Sequence, residues 1–177
     1  MHGNEVPSKE VLIHFLDYML ANQSNDPAVD YLMKNTRIHV MPSMNPDGYE
    51  RSKIYDCSTT KGRYNANNQD LNRNFPDYFE KNTAPLQPET LAVMNWLATN
   101  DFVLSANGHG GSLVVNYPYD NLRQSQNGGE ENVSDDNDVF LAMSLSYATN
   151  NPAMQKPQDC TVGESSFKNG TTNGGNV

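Results

Sequence analysis

The chain has 177 residues, enough for one domain with a substantial core, and carries 12 Lys+Arg against 21 Asp+Glu for a net charge of −9. That charge would repel a phosphate backbone over most of the surface, which argues against nucleic acid as a partner. Only 36% of residues are hydrophobic, so long surface loops around a modest core are expected, and no apolar run is long enough to cross a membrane.

In chain order, the first feature is Met1-His2-Gly3-Asn4-Glu5, an imidazole and a carboxylate three residues apart. Val11, Leu12, Phe15, Leu16, Met19 and Leu20 then recur at three- and four-residue spacing. They predict an amphipathic helix over residues 8 to 21, with Pro7 near its start and Glu5 at or just before it. His14 reads as part of the helix surface. Arg37-Ile38-His39-Val40-Met41, stopped by Pro42, predicts a buried strand of an α/β sheet in which His39 makes an ordinary hydrogen bond. Asn45-Pro46-Asp47-Gly48 predicts a turn. Residues 50 to 86 lack steady periodicity and predict a long ordered excursion, the kind of segment that carries substrate contacts.

Pro88-Glu89-Thr90 opens a second predicted helix through Leu97. Phe102-Val103-Leu104-Ser105-Ala106 follows as a second core strand, delivering His109 from its C-terminal end, where ligands gather in open α/β folds. Leu113-Val114-Val115 is a third apolar run, Asp138 to Tyr147 a third helix, and residues 158 to 177 a Gly-, Ser-, Thr- and Asn-rich stretch without a capping element. His2, Glu5 and His109 form a two-histidine, one-carboxylate set. If the three converge, it leaves a zinc ion one open position for water, as catalytic zinc requires. Structural zinc would use four protein ligands rich in cysteine, and neither Cys57 nor Cys160 lies in such a motif. The two cysteines allow one disulfide or two thiols. Three Asn-x-Ser/Thr sequons, at Asn22, Asn132 and Asn169, lean toward secretion and glycosylation.

The segments His2-Gly3-Asn4-Glu5, Asn45-Pro46-Asp47-Gly48, Asp70-Leu71-Asn72-Arg73-Asn74-Phe75-Pro76 and Ser105-Ala106-Asn107-Gly108-His109-Gly110-Gly111, in this order, resemble the zinc metallocarboxypeptidases. The nearest likeness is to the regulatory branch that includes carboxypeptidases E, N, M and D. Ser165-Ser166-Phe167 and Gly170-Thr171-Thr172-Asn173-Gly174-Gly175 are also similar to that branch. The resemblance implies an α/β fold, a mixed central sheet flanked by helices, with one Zn²⁺ per domain on His2, Glu5 and His109. It implies that Asn72 and Arg73 grip a substrate's terminal carboxylate, a task suited to paired, charge-assisted hydrogen bonds. Arg63, in Gly62-Arg63-Tyr64-Asn65, matches the arginine that polarises the scissile carbonyl and steadies the oxyanion. Asp120, in Asn116-Tyr117-Pro118-Tyr119-Asp120, matches an acidic residue in the pocket for the terminal side chain and would pair with Lys or Arg.

The implied function is release of C-terminal Lys or Arg from peptides and proteins by a monomer in the extracellular space or secretory pathway. The alternative is a non-catalytic carboxypeptidase-like binding domain. Against the family's pattern, the leading strand and the downstream glutamate that acts as general base and acid are missing, and Glu164 lies on the wrong side of the Gly170 to Gly175 segment to replace it. The expectation is therefore a catalytic domain spanning residues 1 to 177, incomplete at both ends and, by itself, poorly folded and inactive.

Overall fold

The computed structural model describes residues 1–53, 56, 58–121, 131–156 and 167–176. Cys57, Cys160, Glu164, Ser165 and Ser166 lie outside the described residues, and the disulfide question with them. Two compact units divide the chain. Met1–Phe75 with Asn82–Gly110 forms the first, and Pro76–Lys81 with Gly111–Val177 the second.

Among its described residues the first unit holds α1 (Val6–Asn22), α2 (Pro27–Asn35), α3 (Pro46–Arg51) and α4 (Pro88–Ala98). A 3₁₀ turn, Leu71–Arg73, lies between α3 and α4. Each α-helix has proline at its first or second position, where the missing N–H costs nothing and the fixed φ suits the helix. α1 matches the predicted helix, with His14 exposed on its surface. Its apolar stripe is only partly covered. Met19 is buried and Leu12 and Leu16 are half-buried, while Val11, Phe15 and Leu20 are exposed.

α2 was not signalled by hydrophobic spacing, because its start rests on a cap rather than a stripe. Asp26 Oδ1 accepts hydrogen bonds from the amides of Ala28 and Val29 at 2.8 and 3.3 Å, satisfying donors that the helix itself leaves open. The turn expected at Asn45-Pro46-Asp47-Gly48 is instead the start of α3. Asn45 caps it by accepting from the Gly48 amide at 2.9 Å, and the same side chain donates to the Arg63 carbonyl at 3.2 Å. Asn and Pro side by side favour turns and helix starts alike, and the capping bond decides between them.

Neither Arg37–Met41 nor Phe102–Ala106 is a strand. Their side chains do meet: the His39 ring lies 5.0 Å from Phe102 and 5.6 Å from Trp96, and the Trp96 indole N–H donates to His39 Nδ1 at 3.3 Å. Among the described residues no backbone hydrogen bond joins the two segments. A run rich in β-branched residues becomes a strand only when a partner supplies the ladder. Without one, Ile38, Met41 and Leu104 stay exposed and Val103 is fully so.

The second unit contains the sheet, two short parallel strands: β1 (Val115–Tyr117) and β2 (Thr171–Asn173). Val115 faces Thr171, Asn116 faces Thr172 and Tyr117 faces Asn173. Helix α5 (Asn137–Thr149) lies between them in sequence and packs on both, the βαβ connection that parallel strands require. β2 falls in the stretch expected to be loop, since Thr-Thr-Asn carries no apolar alternation. Asn173 is buried, donating to the Pro118 carbonyl at 2.8 Å and accepting from the Asn132 amide at 2.8 Å. Gly170 has φ +68, and a Cβ there would sit 2.8 Å from Met154, so glycine is needed at the entry to β2. The architecture is α/β with this one small sheet among the described residues.

Replacing Asn45 with Ala is expected to destabilise the first unit by roughly 2 kcal/mol, through loss of the α3 cap and an orphaned buried Gly48 amide. Denaturant unfolding of the chain and of the variant checks this, with an unchanged midpoint counting against it.

Candidate metal centre

The centre is assembled in the first unit from three places: the turn before α1, the 60s to 70s loop, and the loop after Phe102. Close backbone approaches seat these pieces. A Cβ on Gly3 would lie 2.2 Å from the Tyr49 nitrogen in α3, so only glycine lets His2 enter there. A Cβ on Gly110 would lie 2.7 Å from Glu5 Cγ, and one on Gly108 2.7 Å from Ser8 Oγ. The loop carrying His109 thus lies against the start of α1 with no room for side chains on either neighbouring glycine. The Gly110 amide also donates to Glu5 Oε2 at 2.8 Å.

His2, Glu5 and His109 converge. One donor atom from each lies within 4.8 Å of the others, and the His2 and His109 rings meet edge to face at 4.9 Å. The proton positions follow from the acceptors. His2 Nε2 is 3.0 Å from Asp70 Oδ1, and since an ionised carboxylate only accepts, the proton is on Nε2 and the Nδ1 lone pair faces inward. That nitrogen lies 2.8 Å from Glu5 Oε1. Two acceptors so close require a proton or a cation between them, and this is the observation by which the donor set fits a metal. His109 Nδ1 is 2.6 Å from the Gly110 carbonyl oxygen and 3.7 Å from Glu5 Oε1, so this ring borders the same space as His2. Two neutral imidazoles and a carboxylate suit zinc.

Asp70 is the residue that sequence reasoning passed over. Its carboxylate orients His2, accepts Nε and Nη2 of Arg63 at 3.0 and 2.8 Å, and accepts the Asn72 amide at 2.9 Å. The available signal was its place at the head of Asp70-Leu71-Asn72-Arg73, where an aspartate caps the 3₁₀ turn. A carboxylate behind a ligating histidine fixes the ring and raises its basicity. Arg63 is held by this forked contact, with Nη1 3.5 Å from His2 Nδ1. Asn72 is half-buried and Arg73 exposed, its Nη1 donating to the Asn72 carbonyl at 2.9 Å.

Burial opposes the charge on both Glu5 and Asp70, yet both carboxyls are held below their ordinary values. For Glu5 in the metal-free chain the opposing contributions are a proton between its carboxylate and His2, the Gly110 amide, and the positive charge of either histidine when protonated. For Asp70 they are the hydrogen bonds from His2, Arg63 and the Asn72 amide, and the Arg63 charge.

Asp120 lies in the second unit. It is exposed, and Asn116 Nδ2 donates to its Oδ1 at 2.8 Å. A Cβ on Gly174 would fall 2.4 Å from the Asp120 Cα, so the Gly174-Gly175 segment packs directly beneath this residue.

The model of the family described as zinc carboxypeptidase matches residues 1–176. The chain belongs to the zinc carboxypeptidase family. It is 49% identical to carboxypeptidase M of Mus musculus over 175 residues, covering 98% of this chain and 39% of that protein. It is 52% identical to carboxypeptidase D of Anas platyrhynchos over 176 residues, 98% of this chain and 12% of that protein. With carboxypeptidase Z of Homo sapiens the identity is 37% over 196 residues, 97% of this chain and 30% of that protein. These relatives place the zinc carboxypeptidase chain on the regulatory branch that its ordered motifs resemble, and it spans well under half the length of each.

Two outcomes are expected of this zinc carboxypeptidase centre. Asp70→Asn should weaken zinc binding roughly 10–100-fold, measured by competition with a chromophoric chelator; unchanged affinity would remove Asp70 from the centre. Because the folded-state values of Glu5 and Asp70 are depressed, their contribution to stability is fully present above the ordinary carboxyl range, about pH 4. It is lost as pH falls through the lower folded values. Metal-free chain should show that acid loss in denaturant midpoints, and the paired Glu5→Gln, Asp70→Asn variant should lack most of it.

Proposed function

We propose that this chain carries the zinc-binding and substrate-gripping part of a peptidase that releases C-terminal Lys or Arg from peptides and proteins. The observation that carries the reading is the convergence of His2, Glu5 and His109, with Asp70 joining His2 to Arg63 and to the turn of Asn72 and Arg73. Zinc held by the three donors would supply Lewis acidity toward a water and the scissile carbonyl. Arg63, with Nε and Nη2 committed to Asp70, keeps Nη1 on the side of His2. From there it can donate to the negative charge that develops on the carbonyl oxygen, and its fixed position avoids reorganisation during reaction.

The side-chain amide of Asn72 and the Arg73 guanidinium take the terminal carboxylate. Arg73 is exposed, and a guanidinium matches a carboxylate with two parallel N–H bonds. Asp120, steadied by Asn116, pairs with the cationic side chain of the terminal residue. Proton transfer is a separate requirement. Glu5 and Asp70 are both committed to His2, so neither is free to act as base. Binding without turnover is therefore the behaviour we propose for these 177 residues.

An extracellular or secretory-pathway setting fits the sequons at Asn22 and Asn169. Asn169 is exposed, whereas Asn22 is half-buried and its Nδ2 donates to the Tyr18 carbonyl. Asn132 is buried, with its Nδ2 donating to the Asn121 carbonyl, so that sequon does not offer a free amide.

Binding of a fluorescent peptide ending in free Lys, with its C-terminal amide and an Ala-ending analogue as controls, tests the reading in zinc-loaded chain. The amide should bind at least about tenfold more weakly, the size of one charge-assisted hydrogen bond. Arg73→Ala should erase that difference. Asp120→Ala should erase the preference for Lys over Ala while sparing discrimination against the amide. Equal affinity for acid and amide in the unsubstituted chain would refute the proposal.

A further inference from the structure

On the first unit, apart from the metal centre, a cavity of about 260 Å³ is lined by Arg51, Thr59, Thr60, Lys61, Gly62, Tyr64 and Asn68. Its charge is opposite to that of the molecule. Acidic residues outnumber basic ones by 21 to 12 in the chain, yet both charged lining residues are cations. We propose that this cavity is a binding site for a tetrahedral oxyanion, a phosphate or sulfate group.

The walls are organised for such a ligand. Arg51 Nη1 and Nη2 donate to the carbonyls of Asn65 and Ala66 at 3.1 and 3.4 Å. This fixes the plane of the guanidinium, and among the described residues it makes no further hydrogen bond and no ion pair. A pre-positioned guanidinium loses little entropy on meeting an oxyanion. Among the described residues, no hydrogen bond or ion pair engages the Lys61 ammonium, which therefore adds a second, adaptable positive charge. The floor is rigid. Gly62 has φ +91, and a Cβ there would lie 2.5 Å from the Gly48 oxygen, so this loop is pressed onto α3.

No carboxylate lines the cavity among the described residues, and Asp56, three residues before Thr59, is engaged elsewhere. Its oxygens accept from the amides of Ser58 and Thr59 and from both hydroxyls, bonds that hold its carboxyl down to about 2. Its charge is turned into the loop's own turn. The volume exceeds that of one tetrahedral oxyanion several-fold, which leaves room for the group to arrive on a larger carrier. Arg51 and Lys61 contribute charge there, and the hydroxyls of Thr60 and Tyr64 with the Asn68 side-chain amide contribute the remaining donors.

Titration of the full chain with inorganic phosphate and inorganic sulfate at constant ionic strength, against chloride, tests the proposal by calorimetry and amide chemical shifts. Saturable binding of phosphate, sulfate or both is expected, with the largest shifts at Thr60, Lys61 and Gly62. The anion that binds more tightly identifies the source. Lys61→Ala should weaken binding at least fivefold and Lys61→Glu abolish it; the side chain is exposed, so neither should disturb the fold, which circular dichroism checks. His109→Ala should leave binding unchanged, separating this site from the metal centre. Absence of saturable binding, equal response to chloride, or full affinity in Lys61→Glu would each overturn it.

Discussion

One carboxylate, that of Asp70, ties together most of what makes the first unit a site rather than a collection of loops. It receives the Nε2 proton of His2, two N–H groups of Arg63 and the backbone amide of Asn72. His2, far away in sequence, is thereby held to the loop that carries Arg63 and Asn72. Burial disfavours the charge of Asp70, but these four donors overcome it. The result is a histidine with a defined tautomer and an arginine with a defined plane, both set before any metal or substrate arrives. A centre preorganised in this way does not need to collect its ligands from a disordered loop.

The second organising constraint is steric. Gly3, Gly108 and Gly110 each stand where a Cβ would strike another segment, so the backbone carrying His2 can come close to α3 and the backbone carrying His109 to the start of α1. Polar packing replaces much of the usual hydrophobic core. Asn45, Asn65, Asn74 and Gln87 are buried and exchange side-chain bonds with one another's loops, while among the described residues of this unit Met19, Val29 and Leu71 are the buried apolar side chains. Amide networks of this kind give little net stability but penalise misplacement, because each unpaired buried group costs more than a paired one gains. The loop bearing Arg63, Asn72 and Arg73 is held by such a network.

Membership of the zinc carboxypeptidase family was legible from short polar motifs, because His, Glu, Arg and Gly at fixed spacings are demanded by chemistry and close approach. The helices α1, α4 and α5 were legible from spacing and from their prolines or flanking polar residues. Strand readings at Arg37–Met41 and Phe102–Ala106 went astray because β-propensity describes a side chain's comfort on a pleated surface, not the presence of a neighbour to bond with. β2 went unseen for the opposite reason: Thr171-Thr172-Asn173 has little apolar character, and pairing with β1 makes it a strand.

By itself, the order of residues determined the donor types available to a metal and the acidic charge of the chain. These are local properties, set by side-chain chemistry. Tertiary structure alone decided that His2, Glu5 and His109 meet within 4.8 Å, that Asp70 stands behind His2 and Arg63, and that Arg51 and Lys61 share one cavity. Those outcomes depend on contacts between residues far apart in the chain, where the gain from each bond is weighed against the entropy of closing the loop between them.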